Sequence, residues 1–347
     1  MKMNYNIKIN PGAVRGFSGG TLMKKNHLYF TLMVIFLVPA IIWGSGQTET
    51  KAGMIVPEDA IAMLHIDMEQ TLHTQTTVTI MELYSIFQGK GKMRDSAGEA
   101  MDKELANTFG ITLEKIKTIT LFTLSLDMSK SDAPSGMQMR CVPGAGEEVA
   151  AYLKKTYGPT ITKYNKTSYY RLMVRNQELF VHITGETILY ANRTEVLEKM
   201  IDVLYGGPSI RNNQRLYKLQ QKCKDYPFYA VGYVGETDHP TLPSPFDQVR
   251  EFSLTITPGE DLSFEFNGWM DAPSEAEMFI SSVQGGVALF SMAVMAQNRK
   301  AYPVLQAVIK GITYEQKGKQ AIISGQLSGG DLKNIIQQVP SLLQLVQ

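Results

Sequence analysis

Two cysteines in 347 residues, Cys141 and Cys223, are too few for a disulfide framework or for a zinc site of paired Cys-x-x-Cys ligands. The usual nucleophile signatures are missing too. There is no G-x-S-x-G elbow, and neither cysteine stands at a glycine-led helix start that would make it a thiolate. "PGAGEE" and "SGGD" are glycine-rich but match neither the dinucleotide fingerprint nor the lysine-bearing phosphate loop, so they read as helix entries. Charged residues make up only 19% of the chain, and no Lys/Arg stripe is visible along it, which argues against nucleic acid as a partner. A composition that is 44% hydrophobic is that of a globular protein with a real core.

The long hydrophobic run that is present lies near the start. In "MKKNHLYFTLMVIFLVPAIIWGSGQTET", Lys24 and Lys25 form a positive n-region, Leu28 to Ile42 is largely apolar, and Gly44 and Gly46 are the small residues that precede a cut before Gln47. A bilayer-spanning helix needs about 20 apolar residues, more than this run supplies. Residues 23–46 therefore read as a cleaved signal peptide of bacterial type, and 1–22 as an upstream extension. No cysteine stands at the cut to carry a lipid. Residues 1–46 hold five of the 34 basic residues and none of the 33 acidic ones, so the exported remainder carries a net charge of −4. The expected location is the periplasm or the cell exterior, with membrane contact only through an uncleaved signal.

Beyond a polar linker the hydrophobic period alternates between two and 3.6. "AIAMLHIDM" and "IKTITLFTLSLDM" alternate as half-buried strands; Phe122, Leu124, Leu126 and Met128 share one face of the second. A helical region is expected over 71–109, broken at "GKGK", and Met137 to Val142 is a further short strand. "GEEVAAYLKKTYG" sets Val149, Tyr152 and Leu153 on one stripe, with acids in the first turn and lysines near the end, as the helix dipole favours. Three strands follow, "YYRLMVR", "ELFVHIT" and "TILYA", the last two linked by Gly185-Glu186 as a tight hairpin. Asn192 and Glu195 have capping-box spacing before Val196, Leu197, Met200 and Ile201.

The same order then recurs. "PFYAVGYVG", "VREFSLTITPG", "DLSFEFNGWMD", the helix from "APSEAEMF" and the hairpin "GITYEQKGKQAIISGQLS" repeat strand, strand, strand, helix, hairpin. The fold class expected is α+β: antiparallel sheets with helices packed on one face, in two duplicated modules. Residues 54–207 form the first, 208–225 a connecting helix, 226–338 the second, and 339–347 a tail. The opening "VPEDAIAMLHIDM", the later "FGITLEKIKTITLF" and the paired strand-helix modules resemble large secreted bacterial proteins known only as a domain of unknown function. That resemblance implies fold and export, with no catalytic residues to carry over.

Candidate chemistry is sparse. His65 and Asp67 lie two apart on one strand and so share a face, with His73 nearby; a carboxylate orienting an imidazole is how general bases are built. This pair is where a hydrolase would be sought, against a default of a polar strand face. Asp238-His239 sits in a proline-rich loop. Glu265 and Asp271 read as solvated charge, and Asn165 and Asn192 as chance glycosylation sequons. The fifteen methionines after the signal, Met137, Met139, Met292 and Met295 among them, suit core filling better than a soft-metal site. Residues 278–298, "MFISSVQGGVALFSMAVMAQN", are expected as a helix buried on the sheet. Its small residues Gly285, Gly286, Ala288 and Ser291 leave a groove for a partner helix or an apolar ligand. No cofactor, metal or catalytic residue is assigned. The role expected is binding or scaffolding in the envelope, through sheet faces and that groove; the rivals are a hydrolase at His65 and Asp67 and a carrier of an apolar ligand.

Overall fold

A computed structural model describes residues 54–70, 97–126, 133–174, 177–234, 245–297 and 302–331. The extension, the signal, the tail, His73, Asp238-His239 and the first part of the expected 71–109 helix fall outside these residues. Twelve strands form a single antiparallel sheet. In chain order they are β1 Ala62–Asp67, β2 Ile116–Thr123, β3 Ser135–Cys141, β4 Thr160–Tyr164, β5 Thr167–Val174, β6 Gln177–Thr184, β7 Thr187–Ala191, β8 Phe228–Tyr233, β9 Glu251–Pro258, β10 Leu262–Trp269, β11 Ile312–Lys317 and β12 Gln320–Leu327. Their spatial order is β11-β12-β10-β9-β8-β1-β2-β3-β7-β6-β5-β4, so the two halves of the chain meet where β1 pairs with β8. The mixed α and β class expected from periodicity holds, with the sheet dominant.

Six helices are described: α1 Ala97–Phe109, α2 Ala145–Tyr157, α3 Thr194–Leu204, α4 Gln214–Cys223, α5 Pro273–Gln297 and α6 Tyr302–Lys310. The expectation that helices pack on one face is wrong. Successive strand residues point to opposite faces, and on β6 Leu179 and Val181 belong to one core cluster while Phe180 belongs to another. The first face buries α2 through Val149 and Leu153. The second buries α3 through Val196, Leu197, Met200 and Ile201, and α4 through Leu216 and Leu219. Each such side chain contributes about 1.5–3 kcal/mol on leaving water. The error has a physical source: a strand buried on both faces reads as a continuous apolar run, and "ELFVHIT" is one. α5 packs its Ala276 and Phe279 beside Phe252 and Phe266, on the face of Leu254 and Ile256 and hence of α2.

Local details follow the chemistry of the turns. α2 carries Glu147 and Glu148 in its first turn and Lys154 and Lys155 in its last, and stops at Gly158, whose φ of 54° is the left-handed cap that glycine favours. Gly185 takes the same region, φ 54°, at the first position of the β6–β7 link. Two expectations fail here. β2 ends at Thr123, short of Leu124 and Leu126, while Met128 lies outside the described residues, and β4 is a strand that the sequence pattern did not give. Asn192 does not cap α3 either. Its side chain bridges two segments, accepting from the Ser135 N–H at 2.9 Å and donating to the Ala133 carbonyl at 2.8 Å. Such a side chain is committed to structure.

Candidate functional site

The second face of the sheet divides into an apolar half under α3 and α4 and a polar half beyond it. The polar half is a consequence of register. His65 on β1 stands opposite Thr120 on β2 and Tyr229 on β8. From Thr120 the row continues to Gln138, Leu189 and His182; from Tyr229 it continues to Thr255, Glu265, Ser324 and Thr313. Of these ten residues, only Leu189 is an aliphatic side chain. A neighbouring row holds Asp67, Thr118, Arg140 and Thr187 on one side and Thr257, Ser263 and Gln326 on the other.

The centre of this band is closed. His65 Nδ1 lies 2.9 Å from Thr120 Oγ1, and its ring packs against that of Tyr229 at 5.3 Å between centroids. Part of the imidazole surface stays accessible, but the ring is deep among protein atoms, and that burial pulls it from 6.5 down to about 4. Asp67 is not its partner. The carboxylate accepts instead from Gln70, from the backbone N–H at 3.1 Å and from Nε2 at 2.5 Å. Burial holds Asp67 up at about 6; the Gln70 backbone bond works against that shift and Glu69 adds to it. An imidazole uncharged far below neutrality and turned to a threonine is a poor general base at pH 7. Tyr229 is fully buried and accepts from Gln220 Nε2 at 3.2 Å.

The sulfur and methionine candidates resolve as core. Cys141 and Cys223 are free and buried, and they sit in clusters on opposite faces, so the sheet itself separates them. Burial pushes the Cys141 thiol to about 12 and raises that of Cys223, away from thiolate chemistry. Met139 is fully buried, as core filling expects. The 278–298 helix differs from expectation. Phe279 is fully buried on the sheet, but Leu289, Met292 and Met295 farther along α5 are 66%, 53% and 45% exposed. Nothing among the described residues lies within 4 Å of the space beside Gly285 and Gly286.

The outer part of the polar half is open. A concavity of about 430 Å³ lies over β9, β10, β12 and β11, lined by Tyr226, Thr255, Thr257, Ser263, Phe264, Glu265, Thr313, Ser324 and Gln326 and by glycine backbone. Its one carboxylate is held by a chain of amides: Gln320 Nε2 donates to Asn267 Oδ1 at 2.7 Å, and Asn267 Nδ2 donates to Glu265 Oε1 at 2.8 Å. Asp271 is not part of it; that carboxylate pairs with Arg250 Nε at 2.7 Å. The Thr313 and Ser324 hydroxyls lie 2.7 Å apart. Hydroxyl groups donate and accept in turn, so the trough presents adaptable hydrogen bonding around one fixed acceptor. Sequence reading placed Glu265 on a polar strand face but could not assemble the trough, because its residues come from four strands whose register is set only by folding.

Two further features escaped the sequence. Arg140 Nε and Nη1 and His182 Nε2 are buried with no hydrogen-bond partner among the described residues. α4 also overturns the expectation that the chain has no basic stripe. Arg215, Lys218 and Lys222 stand three and four residues apart, the spacing of one helix face. Among the described residues no three His, Cys, Asp or Glu side chains cluster closely enough to hold a metal ion. Compared with known proteins, the chain matches no family model and no curated protein.

Proposed function

We propose that this chain is an exported protein of the bacterial cell envelope that binds a partner or scaffolds an assembly without transforming it, and that the trough of the second face is its contact site. The carrying observation is the lining itself: hydroxyl residues, one carboxamide, the aromatic residues Tyr226 and Phe264 and a carboxylate fixed by Asn267. Such a surface recognises by hydrogen bonds. The groups that would do chemistry, His65 and the two cysteines, lie elsewhere and are shifted away from reactive forms.

The two halves are, in this reading, duplicated modules. In each, three strands run outward from the β1–β8 seam, and the third pairs with the second strand of a later hairpin, β3 with β7 and β10 with β12. A helix intervenes in each case on the same face, α2 in one half and α5 in the other. Export is tested by fractionation and N-terminal sequencing of the protein from its native host: the expected product starts at Gln47 in the periplasmic or secreted fraction. Recovery of cytosolic protein that still begins at Met1 or Met23 would overturn the envelope assignment.

A further inference from the structure

Between Asp202 and Asp225 the chain has five basic residues, Arg211, Arg215, Lys218, Lys222 and Lys224, and no acid. The exported remainder carries −4, so without these five it would carry −9: positive charge is concentrated in one short segment of an acidic protein. The fold makes that segment a surface. α4 buries Leu216, Leu219, Gln220 and Cys223 against the sheet, which turns the opposite side outward. At 3.6 residues per turn, Arg215, Lys218 and Lys222 fall within about 60° of one another around the helix. Lys218, Lys222, Lys224 and Arg211 are exposed, and none of the four has a carboxylate partner among the described residues. Arg215 does: its Nε bonds Glu251 at 2.6 Å, and its guanidinium lies 4.8 Å from the Tyr233 ring centroid. Lys222 Nζ lies 4.9 Å from the Trp269 ring centroid, a cation–π contact that fixes the ammonium at the exposed surface without neutralising its charge.

Unpaired cations on a rigid helix leave their full charge available to an outside anion. The segment is bracketed in sequence by Tyr205 and Tyr226, 66% and 42% exposed. Tyrosine beside lysine and arginine is the composition of a protein surface that rests at a lipid headgroup layer, where an amphipathic ring and a positive charge are both at home. We propose that the α4 face is a peripheral docking surface for an anionic phospholipid leaflet. This contact is independent of the N-terminal apolar segment and goes beyond the trough: it positions the protein at the membrane with the same sheet face that carries the trough.

The test uses the full chain with Gln214→Cys, an exposed position on α4, labelled with an environment-sensitive fluorophore; the native cysteines are buried and do not compete. Vesicles are equal parts phosphatidylglycerol and phosphatidylcholine, or phosphatidylcholine alone. The expected result is a blue shift and brightening with the anionic vesicles, reversed by molar salt, and at least tenfold weaker with the zwitterionic ones. Each basic residue near such a surface contributes about fivefold in affinity. Arg211→Gln/Lys218→Gln/Lys222→Gln should therefore bind about 100-fold more weakly. Insertion of the N-terminal segment alone would bring the protein to both vesicles and leave the α4 probe in water. That outcome, an equal signal with the two lipids, or unchanged binding by the triple variant would each overturn the proposal. Should the triple variant lose its native melting transition, the double variant Lys218→Gln/Lys222→Gln decides, with about 25-fold weakening expected.

Discussion

Tyr229→Ala is expected to lower stability by about 3–5 kcal/mol and at the same time to raise the pKa of His65 towards 6.5. Tyr229 is fully buried on β8 at the seam between the halves of the sheet, with Leu64 and His65 of β1 across that seam. Removing its ring deletes apolar contacts and leaves a cavity that neighbouring strands, fixed by their ladders, cannot close. It also takes away the surface against which the imidazole packs, so water reaches His65 and the desolvation that holds it near 4 is relieved. Tyr229→Phe keeps the ring and loses the bond from Gln220 and the weaker one that the hydroxyl donates to Met54 Sδ, at about 1–2 kcal/mol with His65 unmoved. Urea unfolding gives the stabilities, and an NMR titration of the imidazole gives the pKa. A loss below about 1 kcal/mol for the alanine variant would place Tyr229 outside the core.

Asp67→Asn and His65→Gln should alter the pH dependence of stability in opposite senses. With His65 at about 4 in the fold and 6.5 when unfolded, the unfolded chain takes up a proton between those values that the native protein refuses. Its contribution is therefore fully present above pH 6.5 and is lost as the pH falls towards 4. Asp67 runs the other way. Its folded value of about 6 lies above the ordinary 3.8, so the native protein takes up a proton first, and stability increases as the pH falls from 6 to 3.8. Shifts of this size correspond to about 3 kcal/mol each, reduced to about 1–2 because both side chains keep accessible edges. In the parent the two slopes largely offset one another. Asp67→Asn removes a buried charge and should be more stable than the parent by about 1–2 kcal/mol at pH 7, an advantage that disappears near pH 4. His65→Gln should match the parent near pH 7, apart from its altered bond to Thr120, and exceed it by a similar amount near pH 4. Parallel curves for all three proteins would mean that neither group is buried as described.

How far the sequence foretold this can be judged residue by residue. Alternation in "AMLHID" and the 3.6-residue stripe of Val149, Tyr152 and Leu153 gave β1 and α2, because each element buries one side and shows the other to something polar. β6 misled for the opposite reason: Leu179, Phe180, Val181 and His182 are all buried, so period two vanished and with it the sign that helices cover both faces. β4 was missed because Thr160 to Tyr164 is largely exposed and lacks an apolar rhythm. The candidate site was legible only in pieces. His65 and Asp67 were correctly placed on one face, but spacing along one strand says nothing about Thr120 and Tyr229, which reach His65 from strands 55 and 164 residues away. The trough likewise exists only once β9, β10, β12 and β11 lie in register.

The central claim, that an open polar trough on an exported sheet is where this protein meets its partner, is tested most directly by photo-crosslinking in intact cells. A benzophenone amino acid replacing Thr257 faces the trough, and one replacing Met173, exposed on the β5 strand of the other half, is the control. A discrete adduct of one mass from position 257, absent from position 173 and suppressed by Ser324→Trp, is the result predicted. An adduct that forms equally from both positions, or none from 257 in a correctly exported protein, would contradict it.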